Sequence, residues 1–302
     1  MWSMVVHTCI EACYTSKEID LCSIENDTFW YMTEYKERPP FYSLFLSNAD
    51  GEKPITFSLY TWLNPSEPQI LTQHESSLAN SNFDASNVTI FLIHGWLGNG
   101  NNTMNTLLIE AFLKNATVNV ITVDWSYWAS FNYITSMLAV PNVGVEVGMF
   151  IEWLTGFGLS YENVHLVGFS LGGHVAGKAG RNTGSRVRRI TALDPAGVLM
   201  SMFPYRLLKT DAQYVEVIHT NTRLFGLKEP CGDADFYPNG GEIMPNCWLN
   251  MCSHSMAYVY MAESVIYNDM RAHSCKQLSN IFEDKCSGDS HFMGNNDISK
   301  NM

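Results

Sequence analysis

The most informative residues of the chain form a G-x-S-x-G motif, Gly168-Phe-Ser-Leu-Gly172. A lone match of this type arises by chance in about one chain in ten of this length, so its surroundings decide its meaning. It follows an apolar strand predicted over 164–168 and opens a helix predicted over 171–179, as a nucleophile elbow does. This context favours a nucleophilic Ser170 over a glycine-rich turn with an incidental serine.

A serine nucleophile needs a histidine as base and a carboxylate that orients the histidine. After such an elbow the acid precedes the histidine along the chain. The next predicted strand, 189–193, ends in Asp194, and α/β proteins place their chemistry at the carboxyl ends of strands. Asp194 is therefore the candidate acid, and its alternative role is to cap the following turn.

Nine histidines compete for the role of base. His254 follows the last recognisable strand region and stands at the beginning of the last predicted helix, 253–267, which lets it reach over the sheet to Ser170. Most histidines are structural, so this position favours His254 without excluding the others.

The oxyanion of a tetrahedral intermediate needs two preorganised N–H donors. One is expected from the backbone amide of Leu171 and the other from a loop after an earlier strand. The loop His94-Gly95-Trp96 follows the apolar run 88–93, so the amide of Trp96 is the predicted second donor. The alternative for Trp96 is a simple hydrophobic wall residue. This chemistry needs no metal and no organic cofactor.

Composition limits the class of protein. The chain has 302 residues, of which 46% are hydrophobic and 16% charged, and these values exclude disorder for most of it. The formal net charge of −12 argues against a nucleic-acid partner. No run approaches 18 consecutive apolar residues, so no transmembrane segment is predicted.

Short apolar runs typical of buried strands alternate with helical patterns, and a further strand is predicted over 55–63. The buried strands are predicted over 88–93, 118–123, 164–168, 189–193 and 214–218, and the helices over 104–113, 142–157, 171–179 and 253–267. The polar stretch 64–86 is predicted to be a loop. This order indicates an α/β fold, a mainly parallel sheet with helices on both faces. We expect a single catalytic domain over 41–302, preceded by an irregular cysteine-containing segment over 1–40.

Eight cysteines cluster near the two ends of the chain. Cys252-x-His254 and His273-x-Cys275 could bind zinc, but the paired C-x-x-C spacing of structural zinc sites is absent, so disulfides are favoured. Residues 1–10 do not form a convincing signal peptide. Secretion is nevertheless predicted, because four N-glycosylation sequons also fit an exported chain: Asn26, Asn87, Asn101 and Asn115.

Several motifs together resemble the pancreatic lipase family, in particular its short insect neutral lipases and venom-type phospholipases A1. They span about residues 41–270 in family order, as Phe91–Trp96, Val120–Trp125, Val164–Gly177, Ala192–Ala196, Asp211–Thr220, Asp233–Gly241 and Cys252–Ser255. The resemblance implies an α/β-hydrolase fold and a lipid ester substrate met at a membrane or lipid interface. It implies Ser170 as nucleophile, Asp194 as acid and His254 as base. Phe169 stands where relatives commonly have histidine, and it is expected to face the interior.

The resemblance also implies two disulfides, Cys247–Cys252 and Cys275–Cys286. It leaves four cysteines open: Cys9, Cys13, Cys22 and Cys231. Relatives that bind calcium have acidic residues before the position of Asp211, where this chain has Phe203 and Leu208, so no bound calcium is expected. The long pancreatic forms carry a C-terminal β-sandwich for a protein cofactor, and no colipase-type domain is expected here.

In lidded relatives, a segment between two paired cysteines covers the site. Cys247 and Cys252 enclose only four residues, too few to cover a cleft at about 3.3–3.6 Å per residue. We expect an open site beside an exposed apolar tip formed by Trp248, Leu249 and Met251, and a buried plug is the alternative.

An open site resembles the phospholipase A1 members, so hydrolysis of the sn-1 ester of phospholipids is the predicted activity. Three alternatives remain. They are triacylglycerol hydrolysis, hydrolysis of small soluble esters, and non-catalytic lipid binding like that of yolk proteins that resemble this family.

Overall fold

The structure, a computed structural model, describes residues 55–282 and 285–300. The predicted irregular segment 1–40 lies outside the described residues, so the boundary at residue 41 stays a prediction. Cys9, Cys13, Cys22 and the sequon at Asn26 also lie outside them.

Ten strands lie within the described part of the chain. They are β1 (Thr56–Tyr60), β2 (Gln69–Leu71), β3 (Thr89–Ile93), β4 (Asn119–Asp124), β5 (Val164–Phe169), β6 (Arg189–Leu193), β7 (Tyr214–Ile218), β8 (Ala234–Phe236), β9 (Arg271–His273) and β10 (Ser290–Phe292). Every residue of β3, β6 and β7 is buried, as expected of strands covered on both faces.

Seven α-helices lie within the same residues. They are α1 (Glu75–Ala79), α2 (Thr103–Asn115), α3 (Ser126–Ala129), α4 (Tyr133–Thr155), α5 (Leu171–Asn182), α6 (Asn250–Tyr267) and α7 (Leu278–Phe282). Four short 3-10 helices cover Tyr161–Asn163, Met200–Met202, Lys209–Asp211 and Pro238–Gly240.

Eight of the strands form one sheet in the order β2-β1-β4-β3-β5-β6-β7-β8. The six neighbouring strands β4, β3, β5, β6, β7 and β8 pair in parallel, and β1 runs antiparallel to both β2 and β4. Helices α4 and α5 cover one face, and α2 and α6 cover the other. This arrangement confirms the predicted α/β-hydrolase fold. Because the parallel strands end at one edge, the loops after β3 to β8 gather there.

Helix α4 is long and apolar enough to cross a membrane by length and composition alone. Many of its apolar residues pack into the interior of the fold. Val143, Val147 and Phe150 are buried in the core that α4 shares with the sheet and α5. Packing against the sheet therefore accounts for the apolar character of α4.

Helix α4 begins nine residues earlier than the predicted start at Asn142. Pro141 lies inside the helix, although proline lacks the amide that a helix interior uses. The helix continues through Pro141 because apolar residues on both sides of it, including Met137 and Val143, pack into the same core. Tertiary burial outweighs the local cost of the proline.

Three further predictions of local structure are wrong in part. The stretch 64–86, predicted to be a loop, contains β2 and α1. Neither the three-residue strand β8 nor the β9–β10 hairpin was predicted, because short, partly exposed strands lack a clear apolar pattern. Helix α6 begins at Asn250, three residues before its predicted start.

Candidate active site

Ser170 lies in the tight turn between β5 and α5. Its φ of 54° and ψ of −121° fall in a region that L-residues rarely adopt. The flanking glycines permit the turn, because a Cβ on Gly168 would clash with Gly172 O and a Cβ on Gly172 would clash with Ile93 O. A hydrogen bond from Ser170 N to Leu193 O (3.0 Å) ties the turn to β6. The local geometry is therefore that of a nucleophile elbow.

Asp194 is completely buried at the carboxyl end of β6. Its Oδ1 accepts hydrogen bonds from the amides of Thr220 (2.8 Å) and Asn221 (3.0 Å), and its Oδ2 lies 2.5 Å from His254 Nδ1. Gly226 lies against the carboxylate, where a Cβ would clash with Oδ1. Three donors converge on one buried carboxylate, an arrangement suited to orienting a histidine.

His254 lies in the second turn of α6 and is buried. In the neutral imidazole whose Nδ1 donates to Asp194, Nε2 is the nitrogen that accepts a proton. Within the described residues, Ser170 Oγ makes no hydrogen bond to His254. Such contacts are often long in ligand-free sites and tighten when substrate binds.

Two phenyl rings pack against the imidazole of His254. The ring centroid of Phe169 lies 4.5 Å from it and that of Phe225 lies 5.5 Å from it. Phe169 also makes an edge contact with Tyr258 at 5.2 Å. Phe169 packs against the core, as expected, and in addition contacts the candidate base. Its place next to Ser170 in the motif was the one signal in the sequence for this contact.

The loop after β3 lies against the elbow. A Cβ on Gly95 would stand 2.8 Å from Ser170 Cβ, so the backbone here approaches the serine directly. His94 holds the loop by donating from Nδ1 to Gly95 O (2.9 Å) and accepting at Nε2 from Trp125 N (3.1 Å). Trp96 follows Gly95 directly along the chain, and the role of its amide as the second oxyanion donor stays a prediction.

The two predicted oxyanion donors differ in their side chains. Leu171 is the first residue of α5 and its side chain is buried, so only its amide is offered at the helix N-terminus. The indole of Trp96 is partly exposed, donates to Phe131 O (2.8 Å) and contacts the Tyr133 ring edge-on at 5.4 Å. Trp96 therefore also forms a wall, so its two predicted roles are compatible.

The predicted apolar tip is exposed. Trp248 is 96% exposed, and Leu249 and Met251 are more than half exposed, so the tip is not a buried plug. Met251 lies in the first turn of α6 rather than in a loop. The Cys247–Cys252 disulfide closes the base of the tip.

Both disulfides implied by the resemblance are present. The Cα atoms of Cys247 and Cys252 lie 5.4 Å apart, and those of Cys275 and Cys286 lie 4.7 Å apart. The zinc alternative is wrong for these cysteines, because bonded sulfurs are not available as thiolates. Within the described residues, no group of three or more His, Cys, Asp or Glu could hold a metal ion.

Cys231 is the free cysteine of the described residues, and it is buried. Burial raises the pKa of its thiol far above the ordinary value, and the nearby Asp235 adds to the rise. A thiol of this kind is unreactive. A cavity of about 960 Å³ lies between β8 and the β9–β10 hairpin; Cys275 and Cys286 line it, whereas Ser170, Asp194 and His254 do not.

The sequence matches the family model described as Lipase over residues 32–296. It is 35% identical to the pancreatic triacylglycerol lipase of Myocastor coypus in an alignment of 259 residues that covers 76% of this chain and 57% of that protein. It is 34% identical to pancreatic lipase-related protein 2 of Homo sapiens over 260 residues, 76% of this chain and 55% of that protein. The chain thus spans little more than half the length of these relatives.

A solved structure of Est1E from Butyrivibrio proteoclasticus with bound ferulic acid aligns with 69% of this chain and 94% of its own, at 10% identity and a TM-score of 0.37. The family match covers most of the chain, including Ser170, Asp194 and His254. The chain therefore belongs to the lipase family that includes the pancreatic triacylglycerol lipases.

Proposed function

We propose that the protein is a serine hydrolase that cleaves fatty-acyl esters of lipids through an acyl-enzyme. The observation that carries this proposal is the hydrogen bond between buried Asp194 and His254 beside the strained elbow at Ser170. Strain of this kind costs about 1–3 kcal/mol and is found mainly at functional sites. A storage protein would not need a paired, buried histidine beside such a turn.

The proposed reaction starts when Ser170 Oγ attacks the ester carbonyl and gives its proton to His254 Nε2. The negative oxygen of the tetrahedral intermediate accepts hydrogen bonds from the amides of Trp96 and Leu171. Asp194 stabilises the imidazolium, which then protonates the leaving alcohol. Water, activated by His254, cleaves the acyl-enzyme in the second half of the reaction and regenerates Ser170.

The surface around the site supports a lipid substrate. Three segments that follow the carboxyl ends of β4, β6 and β8 contain no Asp, Glu, Lys or Arg: 125–145, 195–205 and 243–262. They contribute twelve exposed large apolar side chains: Tyr127, Phe131, Ile134, Leu138, Val198, Leu199, Met202, Tyr205, Ile243, Trp248, Leu249 and Met251. An exposed apolar surface of this extent favours contact with a lipid interface over small soluble esters.

Within lipid esters, we propose the sn-1 ester of phospholipids as the preferred substrate. Support comes from the short tip, which leaves the site open to a bulky head group. Triacylglycerol is the second candidate, and the similarity to the pancreatic triacylglycerol lipase of Myocastor coypus favours it. A side-by-side assay of phosphatidylcholine and triolein, taken through their solubility limits, separates the two. Cleavage of triolein alone, with a sharp rate increase at the interface, would contradict the short-tip reasoning.

The hydrolase proposal is tested by Ser170→Ala. We expect loss of ester hydrolysis by about 10⁴-fold or more, since the nucleophile is removed. Ser201→Ala, an exposed serine in the loop after β6, is the matched control and should retain activity. Circular dichroism of both variants checks the fold. Full activity of folded Ser170→Ala would overturn the assignment of Ser170 as nucleophile, whereas absence of ester hydrolysis in the wild type would favour the binding alternative.

We further propose that the chain is exported. Two disulfides and exposed sequon asparagines at Asn101 and Asn115 support this. Protein from a eukaryotic secretory host should lose mass on treatment with an N-glycosidase. An unchanged mass would remove the sequons as support.

A further inference from the structure

The loop between β6 and β7 packs closely on one side of α5. Three glycines of α5 permit this contact. A Cβ on Gly173 would stand 3.2 Å from Pro195 Cβ, one on Gly177 would stand 2.6 Å from Asp211 Oδ2, and one on Gly180 would clash with Asp211 O. The loop begins with Asp194 and the helix begins directly after Ser170. The contact therefore joins the segments that carry the candidate acid and nucleophile.

Arg181, in the last turn of α5, donates hydrogen bonds to several oxygen atoms of this loop. Its guanidinium donates to Asp211 Oδ1 (2.8 Å) and Oδ2 (3.0 Å), and to the carbonyl oxygens of Arg206 (2.8 Å) and Pro204 (3.4 Å). Asp211 is completely buried, and the Arg181 side chain is only 20% exposed. A carboxylate with two backbone carbonyls is the kind of oxygen set that calcium takes in proteins.

The residues present do not fit a calcium ion. Phe203 and Leu208 supply no side-chain oxygen, so Asp211 is the single carboxylate of the set. Both of its oxygens already accept from Arg181, and Oδ2 also accepts from Leu208 N (2.9 Å). Lys178, on the same helix, lies close enough to act electrostatically on Asp211, and its positive charge would repel a divalent cation.

We infer that the Arg181 guanidinium is the resident cation of this loop and does the work that a calcium ion would do. It holds residues 203–211 against α5 by a bidentate pair to a buried carboxylate and by bonds to two carbonyls. Calcium should therefore neither bind nor stabilise the loop. This inference stands apart from the proposed hydrolysis, because its readouts are exchange rates and melting temperature.

The test measures hydrogen exchange of the amides in residues 203–211 of the full chain, in calcium chloride and in EDTA. In the wild type, exchange and melting temperature should be the same in both. In Arg181→Gln, the loop amides should exchange about 10- to 100-fold faster, while the amides of β1–β4 change much less. Arg181→Lys keeps the positive charge but loses the planar bidentate geometry of the guanidinium. Its loop amides should therefore exchange at rates between those of the wild type and those of Arg181→Gln.

Arg186→Gln is the matched control. Arg186 pairs with exposed Glu152 at 3.4 Å and touches no residue of 203–211, so its loss should leave loop exchange unchanged. Faster loop exchange of the wild type in EDTA, reversed by calcium, would overturn the inference. The inference would also be overturned if the loop amides of Arg181→Gln exchanged as slowly as those of Arg186→Gln. If Arg181→Gln does not fold, the wild-type comparison and Arg181→Lys still decide.

Discussion

Trp248 offers the sharpest test of how the protein meets a lipid surface. Its side chain is 96% exposed, on a tip whose base is fixed by the Cys247–Cys252 disulfide and by hydrogen bonds from Met244 N to Ser253 Oγ (3.0 Å). A rigid base means that little ordering is needed when the tip enters lipid. We expect Trp248→Ala to weaken binding to phosphatidylcholine vesicles.

The size of the effect follows from the area that Trp248 exposes. A tryptophan buries about 150–250 Å², and apolar burial stabilises by about 25 cal/mol per Å². Insertion of about half of that area is worth about 2–3 kcal/mol, so affinity should fall roughly 30- to 150-fold.

The assay is vesicle co-flotation in a Ser170→Ala background, so that hydrolysis does not change the vesicles. Trp62→Ala is the matched control. Trp62 is 62% exposed but follows β1, which runs antiparallel to β4, so it leaves the sheet at the opposite edge. Its loss should leave binding unchanged. Equal effects of the two substitutions, or none from Trp248→Ala, would refute the assignment of the interface to the tip edge.

Two further substitutions test the site and its support. Gly226→Ala places a Cβ against the Asp194 carboxylate and should lower kcat about 10²- to 10⁴-fold in a folded protein. The control Gly156→Ala, at the end of α4, should leave kcat unchanged. A kcat of Gly226→Ala equal to that of the wild type would mean that Asp194 needs no fixed position. The second concerns His174, which donates from Nε2 to Ala196 O and accepts at Nδ1 from Leu207 N. Burial lowers its pKa from 6.5 to about 4, so the folded protein binds fewer protons than the unfolded chain between these values. The free energy of unfolding should therefore fall as pH drops from about 6.5 to 4, by up to about 3 kcal/mol from this group, and urea titrations of His174→Gln should show that part of the slope removed. An unchanged slope would contradict the assignment.

The buried elements could be predicted from the sequence because their signals are local. The strands β3, β6 and β7 consist of apolar and β-branched residues except for Arg189 and Glu216, and the structure differs from the predicted spans by one residue at most. The elements that were missed depend on distant partners. β8 has Asp235 at its centre and, among the described residues, pairs only with β7. No pattern within its three residues therefore predicts a strand.

The candidate site divides in the same way. Motif order pointed to Ser170 and Asp194 as candidates, because the fold dictates which strand ends carry them. The resemblance to the pancreatic lipase family was needed to single out His254 among the nine histidines. The contacts that hold these residues were not predictable. The amides of Thr220 and Asn221 that bind Asp194 come from the loop after β7. Almost every residue has a backbone amide, so the sequence does not indicate which amides will act as donors. Folding alone brings them to the carboxylate.

Helix α5 links these contacts into one arrangement. Ser170 precedes its first residue, and the amide of Leu171 opens it. His174 and Arg181, seven residues apart and so on one side of the helix, bind Leu207 and Asp211 of the loop that begins at Asp194. The position of the candidate acid relative to the nucleophile thus depends on how the loop lies on this helix. A substitution that lifts the loop from Gly173, Gly177 and Gly180 of α5 should therefore reduce kcat, because it displaces Asp194 relative to Ser170.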